Sequence, residues 1–502
     1  MAGEPQGKAG ASALTKLSLA NLPGLAPGVA RPTYERASLT AGIAHIGVGN
    51  FHRAHQAFYL HRLFNTGRDH DWAITGAGIK PYDAAMRDKL AAQDWLTTIV
   101  ELDPEGFSAE ICGSMVGYDA TDPESLVMLL SQPHIRIVSL TVTEGGYYLN
   151  AKTGGFDNTH PDMVADAVNP GNPQTVFGAV IAAAMARRAA GTAPFTVMSC
   201  DNLPGNGHVA AGTVLGLAAM MDGDQAEWIG ANIAFPNGMV DCITPATGPR
   251  ELDIVRTRFG IEDAAPVVCE PFRQWVMEDV FPGGRPALED VGVEFVSDVA
   301  PYELMKLRIL NGGHATIAYP AALMGIEYAH DAMRDPLVAG FLEKLEFTEI
   351  IPTVPEIPGV SLADYYKTVV RRFSNQALGD TIARLCLDGS NRQPKFILPT
   401  AMARLEAGQP VDGLALEVAL WCRYCAGTDD AGKEIFLDDP SADRLRAQAL
   451  RAKDEPTEYL AMRDIFGPLA DSEPFRTAFS RSLRDLWRDG TAATLRRYLA
   501  AN

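Results

Sequence analysis

The sequence predicts an α/β protein in which a doubly wound N-terminal domain is followed by a mostly α-helical C-terminal domain. Three observations carry this. Short β-type runs alternate with helical stretches from Ile43 to about Ala300, the pattern of parallel strands joined by crossover helices. A glycine turn, Gly47-Val48-Gly49, follows directly on the first of those runs. From Pro301 onward helical periodicity takes over and strands nearly vanish. At 502 residues the chain exceeds what one hydrophobic core fills, and the change of character divides it into domains 1–297 and 298–502.

In chain order, the first forty residues or so are rich in Gly, Ala and Pro and read as a surface arm. IAHIGVGNFHRAHQAFYLHRLF reads as strand, glycine turn and helix. WAITGAGI, beginning at Trp72, is a second strand, and PYDAAMRDKLAAQ is the helix after it. TTIVEL and ICGSMVGY read as paired strands. A helix capped near Asp122, DPESLVMLLSQ, leads into IRIVSLTVTEGG, a buried strand that ends in a glycine turn. Residues 174–190 are Ala-rich and helical, and FTVMSCDN is a further buried strand. In the C-terminal part YELMKLRILNG, LVAGFLEKLEFTEII, QALGDTIARLCLDG, LALEVALWCRYC and FRTAFSRSLRDLWRDG read as helices.

Hydrophobic residues make up 47% and charged residues 21%, an ordinary globular balance. The 62 acidic and 43 basic residues leave a formal charge of −19, a field that repels phosphate backbones and anionic lipid. Nucleic acid and membrane surfaces are therefore not expected partners. The N-terminus lacks the basic-then-apolar pattern of a secretory signal, and no run of about 18 apolar residues suggests a membrane span. Seven cysteines without framework spacing read as reduced thiols in the cytoplasm. Cys422 and Cys425 form a CxxC inside a helical stretch with no second pair to complete a zinc site, so buried small side chains are the expectation.

The glycine turn has the context a dinucleotide site needs. The first glycine permits the tight bend and the second lets the backbone approach a pyrophosphate, while the following helix start offers free N–H groups. The third glycine of the usual fingerprint is missing, with Arg53 and Ala54 in its place. Asp83, just past the second strand, is the candidate for holding ribose hydroxyls and preferring NAD. It serves equally as a helix-start residue, and nearby Lys80 could instead meet a 2′-phosphate. His52 and His55 form an HxxH without a third ligand at metal-site spacing, so no metal is expected. Polar side chains near the phosphates or on the helix surface are the plainer reading.

The segment running from Lys306 to His314, KLRILNGGH, is the most informative. On an ideal helix at 100° per residue, Asn311 and His314 lie about 140° and about 80° round from Lys306, so all three can face one cleft. Gly312-Gly313 is expected to weaken the helix there. A desolvated lysine can accept a proton near neutral pH. Asparagine amides can stabilise a developing alkoxide, and a neutral histidine can orient the substrate. Asn202 follows the strand FTVMSC inside CDNLPGNG, at a strand end where open sheets bind ligands. The alternative is a surface lysine and two capping asparagines.

GVGNFHRAHQA, SLTVTEGGY, CDNLPGNG, FPNGMVDCITP and KLRILNGGH, in this order, resemble the long-chain polyol dehydrogenase family from about Ile43 to the final helices. The resemblance implies a Rossmann-type N-terminal domain and a helical substrate domain. It also implies reversible, metal-independent oxidation of a polyol with NAD, D-mannitol to D-fructose. Arabinitol, sorbitol and hexuronate-reducing activities of the same family are the alternatives. By this resemblance Lys306 is the general base, Asn202 and Asn311 hold the alkoxide, and His314 positions the substrate. Ile46, Gly47, Val48, Gly49, Asn50, Phe51, His52, Arg53 and Ala54, with Asp83 and Glu144, fall on the cofactor side. Asp241 and Glu303 fall on the substrate and proton path, and Arg384 and Arg392 within ARLCLDGSNRQPKF on the substrate's end groups. A monomer or weak homo-oligomer is compatible with the acidic surface. Three rivals stand beside this: a Tyr302-xxx-Lys306 tyrosine mechanism, a Schiff-base lysine lyase, and a dinucleotide sensor without turnover.

Overall fold

A computed structural model describes residues 14–150 and 153–501. The chain divides into two compact units, Met1–Val299 and Ala300–Asn502.

The first unit is built on a five-stranded parallel sheet. Its strands are β1 (Ala41–Ile46), β2 (Ala73–Ala77), β3 (Met115–Ala120), β4 (Ile137–Leu140) and β5 (Thr196–Ser199), in the spatial order β3-β2-β1-β4-β5. This is the doubly wound order with the chain reversing at the central strand. The inner strands are buried along nearly their whole length, as expected where helices cover both faces. One core layer gathers Phe58, Leu60, Phe64 and Trp275, and the other Leu130, Phe177, Val180 and Leu217. The doubly wound reading is thus borne out.

Three local expectations change. ICGSMVGY does not form one strand. Gly106–Cys112 closes an antiparallel hairpin with Thr97–Asp103, whereas Met115–Ala120 joins the main sheet as β3. The break falls at Gly113-Ser114, where the Ser114 hydroxyl donates to the Ala57 carbonyl (2.6 Å) and its own carbonyl accepts from Ile74 N–H (3.0 Å). The expected N-terminal arm is knitted into the unit: Thr15–Lys16 pairs with Ile261–Glu262, and Val29–Ala30 adds an edge strand to the hairpin sheet. Its first thirteen residues lie outside the described part. QALGDTIARLCLDG is not one helix but a short 3₁₀ turn and a four-residue helix parted by Gly379 at φ +63°.

The second unit is helical. Asp412–Cys425 is its buried centre, with Trp421 set edge-on to Tyr459 (5.3 Å between ring centres) and Tyr459 edge-on to Phe466. The amphipathic helix Glu473–Asp489 packs against it. Among the described residues no helix is long and apolar enough to cross a membrane.

Candidate active site

In the first unit the site is organised by the loops that leave β1, β4 and β5. Gly47 turns the chain at φ +96°, and a side chain there would run into the Thr141 carbonyl. Its N–H donates to Ala77 at the end of β2 (3.2 Å), and its carbonyl accepts from the Thr141 hydroxyl (2.5 Å). Gly49 is exposed at φ −89°, and a Cβ there would find no atom nearer than the Gly47 oxygen at 3.9 Å. The backbone is therefore bare on the side where a pyrophosphate would lie against the start of the helix Asn50–Ala54. The residues present fit a dinucleotide.

The side chains of that string do something else. Asn50 donates to the Pro245 carbonyl and the Thr247 hydroxyl (both 3.0 Å). Arg53, fully buried, donates to the Gly49 carbonyl (3.2 Å), to Asn50 Oδ1 (2.7 Å) and to the Ala265 carbonyl. Phe51 stacks on His55 at 4.8 Å. Ile46, Val48 and Ala54 are buried. The expectation that His52 lies on the helix surface is overturned. His52 is 1% exposed, lies flat on His45 (3.4 Å between ring centres) and is hydrogen-bonded to Gln56 (3.1 Å). His55 (φ −116°, ψ −92°) splits the expected helix in two just beyond His52. Burial pushes both imidazoles down, His45 to about 3, so both are neutral.

Asp83 is the third residue of helix Pro81–Ala91, where its carboxylate accepts from Lys80 N–H (2.8 Å) and Ile79 N–H (3.0 Å). It caps the loop after β2, and burial raises its pKa against those two bonds. Asp201, which sequence reasoning passed over, is the keystone beyond β4 and β5. Its carboxylate accepts from the N–H groups of Val142 and Thr143 (both 2.9 Å) and from the Tyr147 hydroxyl (2.7 Å). It thereby holds Thr143 at φ +65°, a conformation costly for a β-branched residue. Asn206, also missed, is wholly buried and ties the carbonyls of Ser199 (3.2 Å), Asp201 (3.0 Å) and Gly238 (2.8 Å) together. Asn202 and Glu144 sit exposed on the two loops so fixed, and Asp241 ends the strand Gly238–Asp241 that Asn206 anchors. The only sequence signal was polarity clustered in CDNLPGNG; the partners lie up to 59 positions away.

In the second unit helix Ala300–Met305, bearing Glu303, runs into a π-helical turn, Lys306–Asn311, and on into helix Gly312–Leu323. This corrects the ideal-helix geometry. A π turn takes more residues per turn than an α-helix, so Asn311 lies nearer to the face of Lys306 than the ideal α-helical angle places it. Gly312-Gly313 does not interrupt the helix. A Cβ on Gly313 would already touch Phe373, Leu342 and the Glu346 carboxyl at 3.4–3.5 Å, so glycine serves close packing there. His314 stacks on Phe373 at 4.2 Å, and Lys306 is 7% exposed. Glu346 opens a second π turn, Glu346–Ile350; it is wholly buried, and burial raises its carboxyl pKa well above the usual range. Arg384 is exposed and paired through two bonds with Asp380 (2.6 and 2.5 Å). Arg392 caps the carbonyls of Arg384 (3.4 Å) and Leu385 (3.2 Å), which brings these two arginines together. Among the described residues no group of three or more His, Cys, Asp or Glu is placed to hold a metal ion.

A parallel sheet in this order with a bare glycine turn at its central strand end, followed by a helical unit, defines a Rossmann-type dehydrogenase architecture. Residues 41–290 match the model of the mannitol dehydrogenase Rossmann domain, and residues 298–487 that of the mannitol dehydrogenase C-terminal domain. The chain is 58% identical to a mannitol 2-dehydrogenase of Cereibacter sphaeroides over 94% of its own length and 99% of the relative's. Among solved structures it is similar to Pseudomonas fluorescens mannitol 2-dehydrogenase in ternary complex with NAD and D-mannitol (42% identity, TM-score 0.84, 97% of this chain and 100% of that one). It is also similar to a substrate-free D-sorbitol dehydrogenase (34% identity, TM-score 0.89, 95% and 100% covered). The chain belongs to the mannitol dehydrogenase family, oxidoreductases acting on a secondary alcohol.

Proposed function

We propose that this protein oxidises D-mannitol at C2 to D-fructose, reversibly and with NAD, using Lys306 as general base. Residues 1–297 hold the dinucleotide, and residues 298–502 supply the catalytic lysine and the substrate contacts. The observation that carries this reading is the likeness, along 97% of the chain, to an enzyme solved with both NAD and D-mannitol bound.

NAD, when bound, supplies the hydride acceptor. The chain's own residues do the rest. The bare backbone of Gly47 and Gly49 receives the pyrophosphate, with Asp83 at the ribose and Glu144 beside the cofactor. Lys306, largely removed from water, takes the proton of the C2 hydroxyl. The amides of Asn202 and Asn311 donate to the oxygen as it gains negative charge. His314, held flat by Phe373, orients the polyol. Glu303, three residues before Lys306, passes the proton outward, and Asp241, Arg384 and Arg392 meet the remaining hydroxyls.

The test is NADH formation from NAD and D-mannitol in the presence of EDTA, with D-arabinitol, D-sorbitol and NADP alongside. Lys306→Ala should lose about 10²–10⁴-fold in kcat while keeping its affinity for NADH. Turnover of sorbitol ahead of mannitol would move the substrate to the second reading, which the 34% identical D-sorbitol dehydrogenase favours. Sensitivity to EDTA, or full activity of Lys306→Ala, would refute the lysine mechanism.

A further inference from the structure

The CxxC at Cys422 and Cys425 looks like the redox motif of this chain, but burial raises the pKa of both thiols. A pair remote in sequence is better built. Cys242 directly follows the strand Gly238–Asp241, and Cys269 ends the strand Val267–Cys269. Each thiol influences the ionisation of the other. One residue on from each, Glu270 N–H donates to the Ile243 carbonyl (3.0 Å) and Ile243 N–H to the Glu270 carboxylate (2.6 Å). The two segments are thus held side by side next to the pair, the neighbourhood a bridge would need.

Arg273 completes the arrangement. Its Nη2 donates to the Cys269 sulfur (3.1 Å), and the guanidinium is fixed by the Ala54 carbonyl (2.6 Å), by Glu101 and by the face of Phe58 (4.1 Å). A fixed cation on a buried sulfur favours the thiolate. We propose that Cys242 and Cys269 form a peroxide-sensitive dithiol, a modification site in which Cys269 is the nucleophile and Cys242 the resolving thiol.

The neighbouring Cys242 side chain, with the charge of Arg273 behind it, holds the Cys269 thiol below its ordinary value although it is fully buried, whereas the Cys242 thiol is pushed up. Burial raises the other five cysteines, Cys112, Cys200, Cys386, Cys422 and Cys425. Cys242 retains 8% exposure, so its end of the pair lies nearer to water than fully buried Cys269. The Cys269 thiolate attacks hydrogen peroxide, breaking its O–O bond to give a sulfenic acid and hydroxide. The Cys242 sulfur then attacks that sulfenyl sulfur and forms the S–S bond. The S–OH bond breaks, and the departing hydroxide takes the Cys242 proton. Two thiols lose two electrons and two protons, and peroxide becomes two waters.

The test exposes the full-length protein to hydrogen peroxide, blocks remaining thiols and maps non-reduced peptides by mass spectrometry. A cross-link between the peptides bearing Cys242 and Cys269, lighter by two hydrogens and reversed by dithiothreitol, is the expected result. Cys242→Ala should leave Cys269 as a sulfenic acid that dimedone captures. Arg273→Lys, with far-UV circular dichroism as a folding check, should slow bridge formation about tenfold. Oxidation spread evenly over all seven cysteines, a Cys422–Cys425 link instead, or Cys269 going to sulfinic acid without a bridge would each overturn the proposal. The wild-type peptide map decides even if a variant fails to fold.

Discussion

Gly47 and Gly49 are two residues apart, yet substitution by alanine should harm them in opposite ways. Gly47→Ala asks alanine to hold φ +96°, which costs about 1–2 kcal/mol. It also drives the new Cβ onto the Thr141 backbone, with the carbonyl carbon at 2.9 Å and the hydroxyl oxygen at 3.1 Å. That carbonyl continues β4 and cannot rotate aside, so overpacking adds about 1–3 kcal/mol. The total of about 2–5 kcal/mol should lower the Tm by roughly 5–15 °C for a unit of this size. Gly49→Ala starts from φ −89° and meets nothing closer than 3.9 Å, so the Tm should stay within about 2 °C. Its methyl, however, occupies the space left for a pyrophosphate, and NADH affinity should fall about tenfold or more, roughly 1.4 kcal/mol. Thermal melts of the free proteins and NADH fluorescence titrations separate the two effects. A Gly47→Ala protein that melts like wild type, or a Gly49→Ala protein that binds NADH normally, would refute the assignment of packing to one glycine and ligand approach to the other.

Asp201→Asn places an amide where two backbone N–H groups and the Tyr147 hydroxyl donate, so urea midpoints should report a loss of about 2–4 kcal/mol. Retained stability would mean that Thr143 holds its conformation unaided. Glu417, fully buried, has its carboxyl raised from 4.5 to about 8 by burial, with one bond from Gln393 (2.6 Å) opposing. Between those values the folded protein keeps a proton that the unfolded chain has released, so stability falls as pH rises, by at most about 1.4 kcal/mol per pH unit. Glu417→Gln should flatten that slope in denaturant titrations from pH 5 to 8; an unchanged slope would exclude Glu417 as its source. His45 works on the acid side: its pKa is depressed from 6.5 to about 3, so its contribution is intact above 6.5 and is lost as pH falls toward 3. His45→Gln should weaken that acid sensitivity in acid-unfolding curves.

The elements legible in the sequence are those whose cause is local. The alternation of apolar runs and helical stretches prescribes the parallel sheet, because each strand and crossover helix carries its own period. Gly47-Val48-Gly49 is readable because the bend is imposed by the residues that make it. The helical character of the C-terminal unit is readable for the same reason. KLRILNGGH stands out by composition, but its geometry does not follow from it. A period of 3.6 assumes an α-helix, and the π turn becomes visible only in the folded chain.

Longer-range choices escape the one-dimensional reading. His52 reads as a polar residue near the phosphates or on the helix surface, yet it lies in the interior flat against His45. Asp201 and Asn206 look like ordinary loop polarity until their partners arrive from Val142, Thr143 and Gly238. The close spacing of Cys422 and Cys425 draws attention, while Cys242 and Cys269, 27 positions apart, sit beside segments joined by bonds between Ile243 and Glu270. The sequence by itself determined the order of elements, the glycine turn and the chemical identity of the candidate groups. Tertiary structure alone decided which polar side chains lose water and which partners receive them, because desolvation and hydrogen bonding depend on distance in space rather than along the chain.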